Sequence, residues 1–164
     1  MKMQKLKLVK TPDRGTKLSA GIDFYIPEFT DTFLRDFLLK NSLPINLDKK
    51  VIEVGPGDIV NIPSGIRCEV PKNHVLISFN KSGIASKLKM DVMACVIDED
   101  YRGELHISLI NNGNTIIELN EGMKATQFLL LPINYCNIEI VDDISIITER
   151  AEKGFGSTNN KKDA

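Results

Sequence analysis

Three polar stretches of this chain carry residue types that could act on a charged substrate. From Val96 to Gly103 the order is Val-Ile-Asp-Glu-Asp-Tyr-Arg-Gly. There Asp98 can take a proton from water, Tyr101 can pack on a ring, and Gly103 frees the backbone for a turn. Upstream, Asn80-Lys81-Ser82-Gly83-Ile84-Ala85-Ser86-Lys87 follows an apolar run and can open a helical turn. Lys81, the Ser82 hydroxyl and unbonded main-chain amides would then converge on an anion, although the order is not that of a P-loop. Near the end, Arg150 precedes Gly154-Phe155-Gly156-Ser157-Thr158, one aromatic between glycines and then two hydroxyls. That composition suits wrapping of phosphates by main-chain amides, with a disordered terminus as the competing reading. Taken alone, Val96 to Leu105 also reads as a solvated acidic turn, and Asp23 after Ala20-Gly21-Ile22 as a turn-capping side chain.

Something must position these groups, and the sequence supplies mostly strands. Alternation after Gly103, from Glu104 to Ile110, reads as a half-buried strand, so Val96 to Ile110 is expected to be a β-hairpin with an acidic, tyrosine-bearing tip. Short strands are expected around Leu6 and Leu8, over Ile22 to Ile26, and at Val51–Val54, Ile59–Ile62, Ile66–Val70 and Val75–Phe79. Gly-Pro-Gly-Asp, Pro-Ser-Gly and Pro-Lys-Asn-His turns separate the last four. Further strands follow at Thr115–Leu119, Ala125–Ile133 and Asn137–Val141; the second is almost wholly apolar from Phe128, as in a strand buried on both faces. The period changes to helical only between Thr30 and Asn41, where Phe33, Leu34, Phe37 and Leu38 form a packing stripe. Tightly spaced strands with no alternating helices indicate an all-β sandwich or jelly-roll-like barrel and exclude a doubly wound sheet.

Composition narrows the chemistry. With 21 basic and 22 acidic residues in 164, net charge −1, nothing global attracts nucleic acid or an anionic membrane, so an anion needs a local site. Cys68, Cys95 and Cys136 are distant, odd in number and lack a Cys-x-x-Cys pair, which implies buried, reduced thiols rather than disulfides or a zinc site. His74 and His106 have no partner at ligand spacing. Neither a signal peptide nor a membrane-length apolar run is present, and a cytoplasmic location is expected.

In combination these stretches resemble the homotrimeric dUTPase family in all five of its motifs and in their order. Ala20-Gly21-Ile22-Asp23 is similar to the first, Lys81-Ser82-Gly83-Ile84-Ala85 to the second, Val96 to Gly103 to the third, Gly122-Met123-Lys124-Ala125-Thr126-Gln127 to the fourth, and Gly154-Phe155-Gly156-Ser157-Thr158 to the fifth. The resemblance implies an all-β, jelly-roll-like distorted barrel over residues 1–148 with a helical insertion at about 28–50, and a flexible carboxy-terminal lid over 149–164. It further implies a homotrimer with active sites at subunit interfaces, and Mg²⁺-dependent hydrolysis of dUTP to dUMP and pyrophosphate by attack on the α-phosphorus. Such a reaction limits uracil in DNA and supplies dUMP.

Carried over by position, Asp98 would be the general base and Tyr101 the group that excludes a 2′-hydroxyl. Ser82, Gly83 and Gln127 would hold phosphate oxygens, with Lys81 in the second motif's charged position. Met93, Cys95 and Ile97 would line the base pocket, and Asp23 would support the water shell of Mg²⁺. Arg150 would meet the terminal phosphate, Phe155 would cover the base, and Gly156, Ser157 and Thr158 would close on the phosphates from another chain. Three features depart from the family pattern: Lys81 and Lys124 stand where Arg is usual, Met93 and Cys95 where Gly is usual, and Arg150-Ala151-Glu152-Lys153-Gly154 is poorer in glycine. Met93 and Cys95 motivate one alternative, a hydrolase of another or modified deoxypyrimidine triphosphate, and the added helix with the lysine exchanges motivates a second, a dUTPase-like nucleotide-gated regulatory protein.

Overall fold

Alternating apolar residues leave one face of each strand to bury, and pairing those faces generates the architecture. The computed structural model describes residues 1–43, 47–149, 151 and 152. In chain order the elements are β1 (Lys2–Lys5), β2 (Ile22–Tyr25), α1 (Asp31–Lys40), β3 (Ile52–Val54), β4 (Ile59–Pro63), β5 (Ile66–Glu69), β6 (His74–Phe79), α2 (Ser82–Leu88), β7 (Met90–Val92), β8 (Val96–Ile97), β9 (His106–Asn111), β10 (Ile117–Leu119) and β11 (Lys124–Pro132). Every strand pairing is antiparallel. The main sheets run β2-β11-β6-β8 and β4-β9-β7, with β1-β5 and β10-β3 as two-stranded pairs. Phe24, Leu76 and Phe128 of the first sheet and Val60, Ile62, Ile107 and Leu109 of the second belong to one buried cluster. This is the expected all-β, jelly-roll-like fold.

The helical stripe packs as its spacing dictates. Thr30 Oγ1 accepts from the Phe33 amide at 3.1 Å and opens α1; Leu34, Phe37 and Leu38 are buried, and Phe33 packs partly buried against the core. Burial of three such side chains contributes about 1.5–3 kcal/mol each, enough to hold a ten-residue helix that would be marginal alone.

Several expectations need correction. Val96–Ile97 and the strand after Gly103 are not the arms of one hairpin: β8 pairs with β6, whereas β9 pairs with β4 and β7. Local alternation specifies a strand but not its neighbour, so the acidic stretch is a crossing between two sheets. β11 is flanked on both edges by strands, yet Leu129, Leu130 and Leu131 are only half-buried. Of the cysteines only Cys68 is buried, where desolvation pushes its thiol pKa up; Cys95 and Cys136 are exposed.

By its contacts the chain divides into Met1–Asn134, which holds every described element, and a second unit beginning at Tyr135. Asn137–Val141 forms no strand among the described residues, and Ile138 and Ile140 are exposed. Alternating apolar residues become a strand only where an adjacent strand completes the hydrogen-bond ladder. Among the described residues no helix is long and apolar enough to cross a membrane.

Candidate active site

The register of the four-stranded sheet assembles the anion site. Gln127 on β11 lies opposite Asp23 on β2 and opposite Phe79 on β6, so the three share one row and one face. Chain continuity past Phe79 brings Asn80, Lys81 and Ser82 to the same corner. Gln127 Nε2 donates to the Asn80 carbonyl at 2.8 Å, and Asn80 in turn donates to Asp91 Oδ1 at 2.6 Å and accepts from the Val92 amide at 2.7 Å. Lys81 is the residue before α2 and adopts extended φ and ψ; Ser82 and Gly83 form the exposed first turn. At Gly83 an added Cβ would meet nothing within 4 Å. No neighbour within the chain requires glycine there, so its smallness leaves the first turn open to a ligand. At Gly21, just before β2, a Cβ would lie 2.1 Å from Gln127 Oε1, so glycine leaves the Gln127 side chain in its place.

One buried carboxylate organises the charge. Asp23 is 5% exposed; its Oδ1 accepts from Lys81 Nζ, and its Oδ2 from Lys124 Nζ at 2.7 Å. Burial pushes its pKa up, but the hydrogen bonds from Lys124 and Lys81 more than compensate and hold it below the ordinary carboxylate range. Lys124 is raised, first by its hydrogen bond to Asp23. Lys124 is shared between Asp23 and Asp13, whereas Lys81 meets Asp23 alone among the described residues and stands next to the exposed Ser82 and Gly83, where its ammonium can meet a phosphate.

The acidic crossing is built differently. After β8, the Tyr101 amide donates to the Asp98 carbonyl at 3.2 Å and closes a turn that exposes the Asp98 side chain. Arg102 donates to the Glu99 and Tyr101 carbonyls at 2.7 and 2.9 Å, and Glu99 Oε2 accepts from the Asn73 amide at 2.6 Å. These bonds brace the turn while leaving Asp98 at its surface. Tyr101 lies over Gly103, where a Cβ would meet its hydroxyl oxygen at 2.2 Å, and donates to the Glu104 carbonyl at 3.0 Å. Before β8, Met93 and Cys95 are exposed, and within it Ile97 is half-buried; the Ser78 amide and hydroxyl donate to the Cys95 and Ala94 carbonyls, each at 2.9 Å.

One copy of the chain does not unite these parts. Ile97 pairs with Leu76, so Asp98 follows level with Val75 near the His74 end of β6, while Lys81 and Ser82 lie beyond its Phe79 end. The three residues from Leu76 to Phe79 alone span about 10 Å at ~3.3 Å per residue. A general base must stand within one hydrogen bond, or one water, of the proton it takes. Thus Asp23, Lys81, Ser82, Gly83 and Gln127 converge, Asp98, Tyr101 and Ile97 form a second group, and Arg150, Phe155, Gly156, Ser157 and Thr158 lie outside the described residues.

Comparison with known proteins decides the family. The dUTPase family model matches residues 43–159. The chain belongs to the dUTPase family. A deoxyuridine 5′-triphosphate nucleotidohydrolase of Gloeothece citriformis is 36% identical over 114 residues, covering 68% of this chain and 78% of its own. One from Desulfitobacterium hafniense is 31% identical over 159 residues, covering 95% and 91%. Among solved structures, the Staphylococcus bacteriophage 80alpha dUTPase with dUPNHPP superimposes with a TM-score of 0.76 at 19% identity, covering 95% of this chain and 96% of its own.

Motif reading in a dUTPase sequence misses what supports the motifs. Asn80 and Asp91 fix the corner, and Asp13 and Tyr25 flank Lys124, yet each reads locally as a strand or turn residue. A buried tyrosine is the one available signal, because its hydroxyl needs a partner. Among the described residues no three His, Cys, Asp or Glu side chains could hold a metal together. Asp23, the residue the family resemblance links to a metal's water shell, has both carboxylate oxygens bonded to lysines.

Proposed function

We propose that this protein hydrolyses dUTP to dUMP and pyrophosphate, with Mg²⁺, at sites completed between copies of the chain. The observation that carries the reading is the cradle in which the Lys81 ammonium stands beside the exposed Ser82 and Gly83, with Asp23 and Gln127 behind it. A triphosphate there would meet the Lys81 ammonium, the Ser82 hydroxyl and the first amides of α2. Asp98, exposed on a braced turn, would deprotonate a water directed at the α-phosphorus, and pyrophosphate would leave. Tyr101, held over Gly103, would press on the deoxyribose and exclude a 2′-hydroxyl. Mg²⁺ bound to the phosphates would neutralise their charge and so lower the barrier to anionic attack. Residues 149–164, with Arg150 on the terminal phosphate, Phe155 over the base and Gly156, Ser157 and Thr158 on the phosphates, would act as the lid that excludes water.

The distance between Asp98 and the cradle supports a homo-oligomer with shared sites, and the family resemblance makes it a trimer. Exposed side chains at Met93 and Cys95, where the family usually has glycine, favour one second reading, a different deoxypyrimidine base. A panel of dUTP, dCTP and dTTP, with and without Mg²⁺ and read as pyrophosphate release, tests both. Preference for dUTP with Mg²⁺ supports the proposal; dUTP no better than dCTP or dTTP overturns the uracil assignment.

A further inference from the structure

The two lysines on Asp23 are not equivalent. Lys81 extends from the residue before α2, 24% exposed, and Asp23 is the one carboxylate it meets among the described residues. Lys124 has three neighbours. Its Nζ lies 2.7 Å from Asp23 Oδ2, 4.0 Å from Asp13 Oδ1 and 5.6 Å from the centre of the Tyr25 ring. Those neighbours are themselves fastened. The Tyr25 hydroxyl donates to Asp13 Oδ1 at 2.6 Å, and the Asp13 and Asp23 main chains exchange two hydrogen bonds, at 2.7 and 3.3 Å. Tyr25 is 2% exposed, so its ring is a rigid wall.

A break in strand register brings Lys124 to this place. Gln127 lies opposite Asp23, and Lys124 opposite Tyr25, with an irregularity between Lys124 and Thr126. Residues three apart in a regular strand point to opposite faces. The extra residue in β11 turns Lys124 onto the face that carries Asp23, Tyr25 and Gln127, as a bulge re-aims a side chain.

We propose that Asp13 and Tyr25 are positioning residues that act through Lys124, anchoring it on Asp23 so that Lys81 alone is released to an incoming phosphate. The inference rests on reading Ser82 and Gly83 as the phosphate cradle. A buried carboxylate stripped of its cations is costly, so Lys81 could not leave Asp23 cheaply if Lys124 were free to follow it. Two carboxylates and an aromatic face keep Lys124 in place. Lys81, a point charge on a flexible stem, then exchanges a carboxylate for a phosphate one residue away from the cradle.

The test is a double-mutant cycle on the full-length protein. Tyr25→Phe removes the bond to Asp13 but keeps the ring, Asp13→Asn removes the half-exposed charge, and Lys124→Met removes the cation. The readouts are KM and kcat for dUTP, and calorimetric affinity for inorganic tripolyphosphate. Each single variant is expected to raise KM and weaken tripolyphosphate binding about three- to tenfold, with kcat within about twofold, because binding is lost and the chemical step is spared. Tyr25→Phe should add nothing in the Lys124→Met background, and Lys124→Arg should restore wild-type values. Additive effects, or a fall in kcat with KM unchanged, would overturn the inference, as would losses confined to thermal stability. Wild-type protein that binds tripolyphosphate but hydrolyses no dUTP refutes the proposed function instead, and the cycle is then read in affinity. Failure to bind either phosphate compound overturns both.

Discussion

Mixing two differently disabled chains tests whether the base and the cradle come from separate copies. Asp98→Asn removes the proton acceptor and leaves the cradle; Gly83→Val fills the cradle and leaves Asp98. Neither should disturb folding, since Asp98 is exposed and a Cβ at Gly83 meets nothing within 4 Å. Loss of a general base costs about 10²- to 10⁴-fold, so each protein alone should be almost inactive. The length of β6 decides the outcome of mixing. About 10 Å of strand separates Leu76, the partner of Ile97, from Phe79, so the proposed base and cradle of one chain stand apart and the shared-site reading draws them from two chains. When the two variants co-assemble at 1:1, a site needs an intact base from one chain and an intact cradle from another. Random pairing meets both conditions in about one quarter of sites, as a head-to-tail interface in a closed ring requires. Recovery towards one quarter of wild-type turnover is therefore expected after co-refolding, measured as pyrophosphate release, with mixed oligomers verified by native mass spectrometry. Activity that stays at the level of the single variants in verified mixed oligomers would refute the shared-site argument.

Three further outcomes follow from local geometry. Gly103→Ala places a methyl about where the Tyr101 hydroxyl stands, so the ring must move; selectivity for dUTP over UTP should fall at least about tenfold while the fold survives, measured as a ratio of kcat/KM values. Gly21→Ala drives Gln127 off the Asn80 carbonyl and should cost about 1–3 kcal/mol, read as a lower urea midpoint together with a raised KM. Asp23 has a depressed pKa in the folded state, so its stabilising contribution is complete above the unfolded carboxylate value of about 3.9 and is lost as pH falls through the lower folded value. The urea midpoints of wild-type protein and Asp23→Asn should differ by a constant amount from about pH 7 to 5 and converge below about pH 4; a gap that closes near neutrality would contradict the assignment.

Sequence alone reveals those features whose cause is local. The buried-exposed alternation of β4 and β5 comes from period two, and α1 from a threonine cap followed by apolar residues at helical spacing. The motif residues were legible because each carries its chemistry in its type. Pairing was not, because nothing in Val-Ile-Asp-Glu-Asp-Tyr states that β8 will lie against β6 rather than β9. β7 has three residues, too few for a period to show, and Asn137–Val141 alternates without an adjacent strand to complete it. Lys124 stood out as an exchanged residue, but its place on Asp23 depends on a bulge, and a bulge is a mismatch between two strands that neither strand encodes alone.

The same limit explains why the acidic turn was ambiguous. In one copy Asp98 is a solvated turn residue, with an exposed side chain and no part in the network around Asp23. The local reading of a surface turn describes that carboxylate in one chain, and the motif reading of a base is compatible with it where a second copy supplies the cradle. Exclusion of water, which strengthens a carboxylate as a base by disfavouring its charged form, is lacking at the exposed Asp98 of the single chain, and the proposed cradle and lid of other copies would supply it. If the proposed base near one end of β6 and the proposed cradle beyond the other act on one substrate, hydrolysis requires an assembled oligomer. A variant that stays monomeric should keep the Asp23 ion cluster, which lies within one chain, and lose turnover; phosphate binding that survives monomerisation while hydrolysis does not would separate the two.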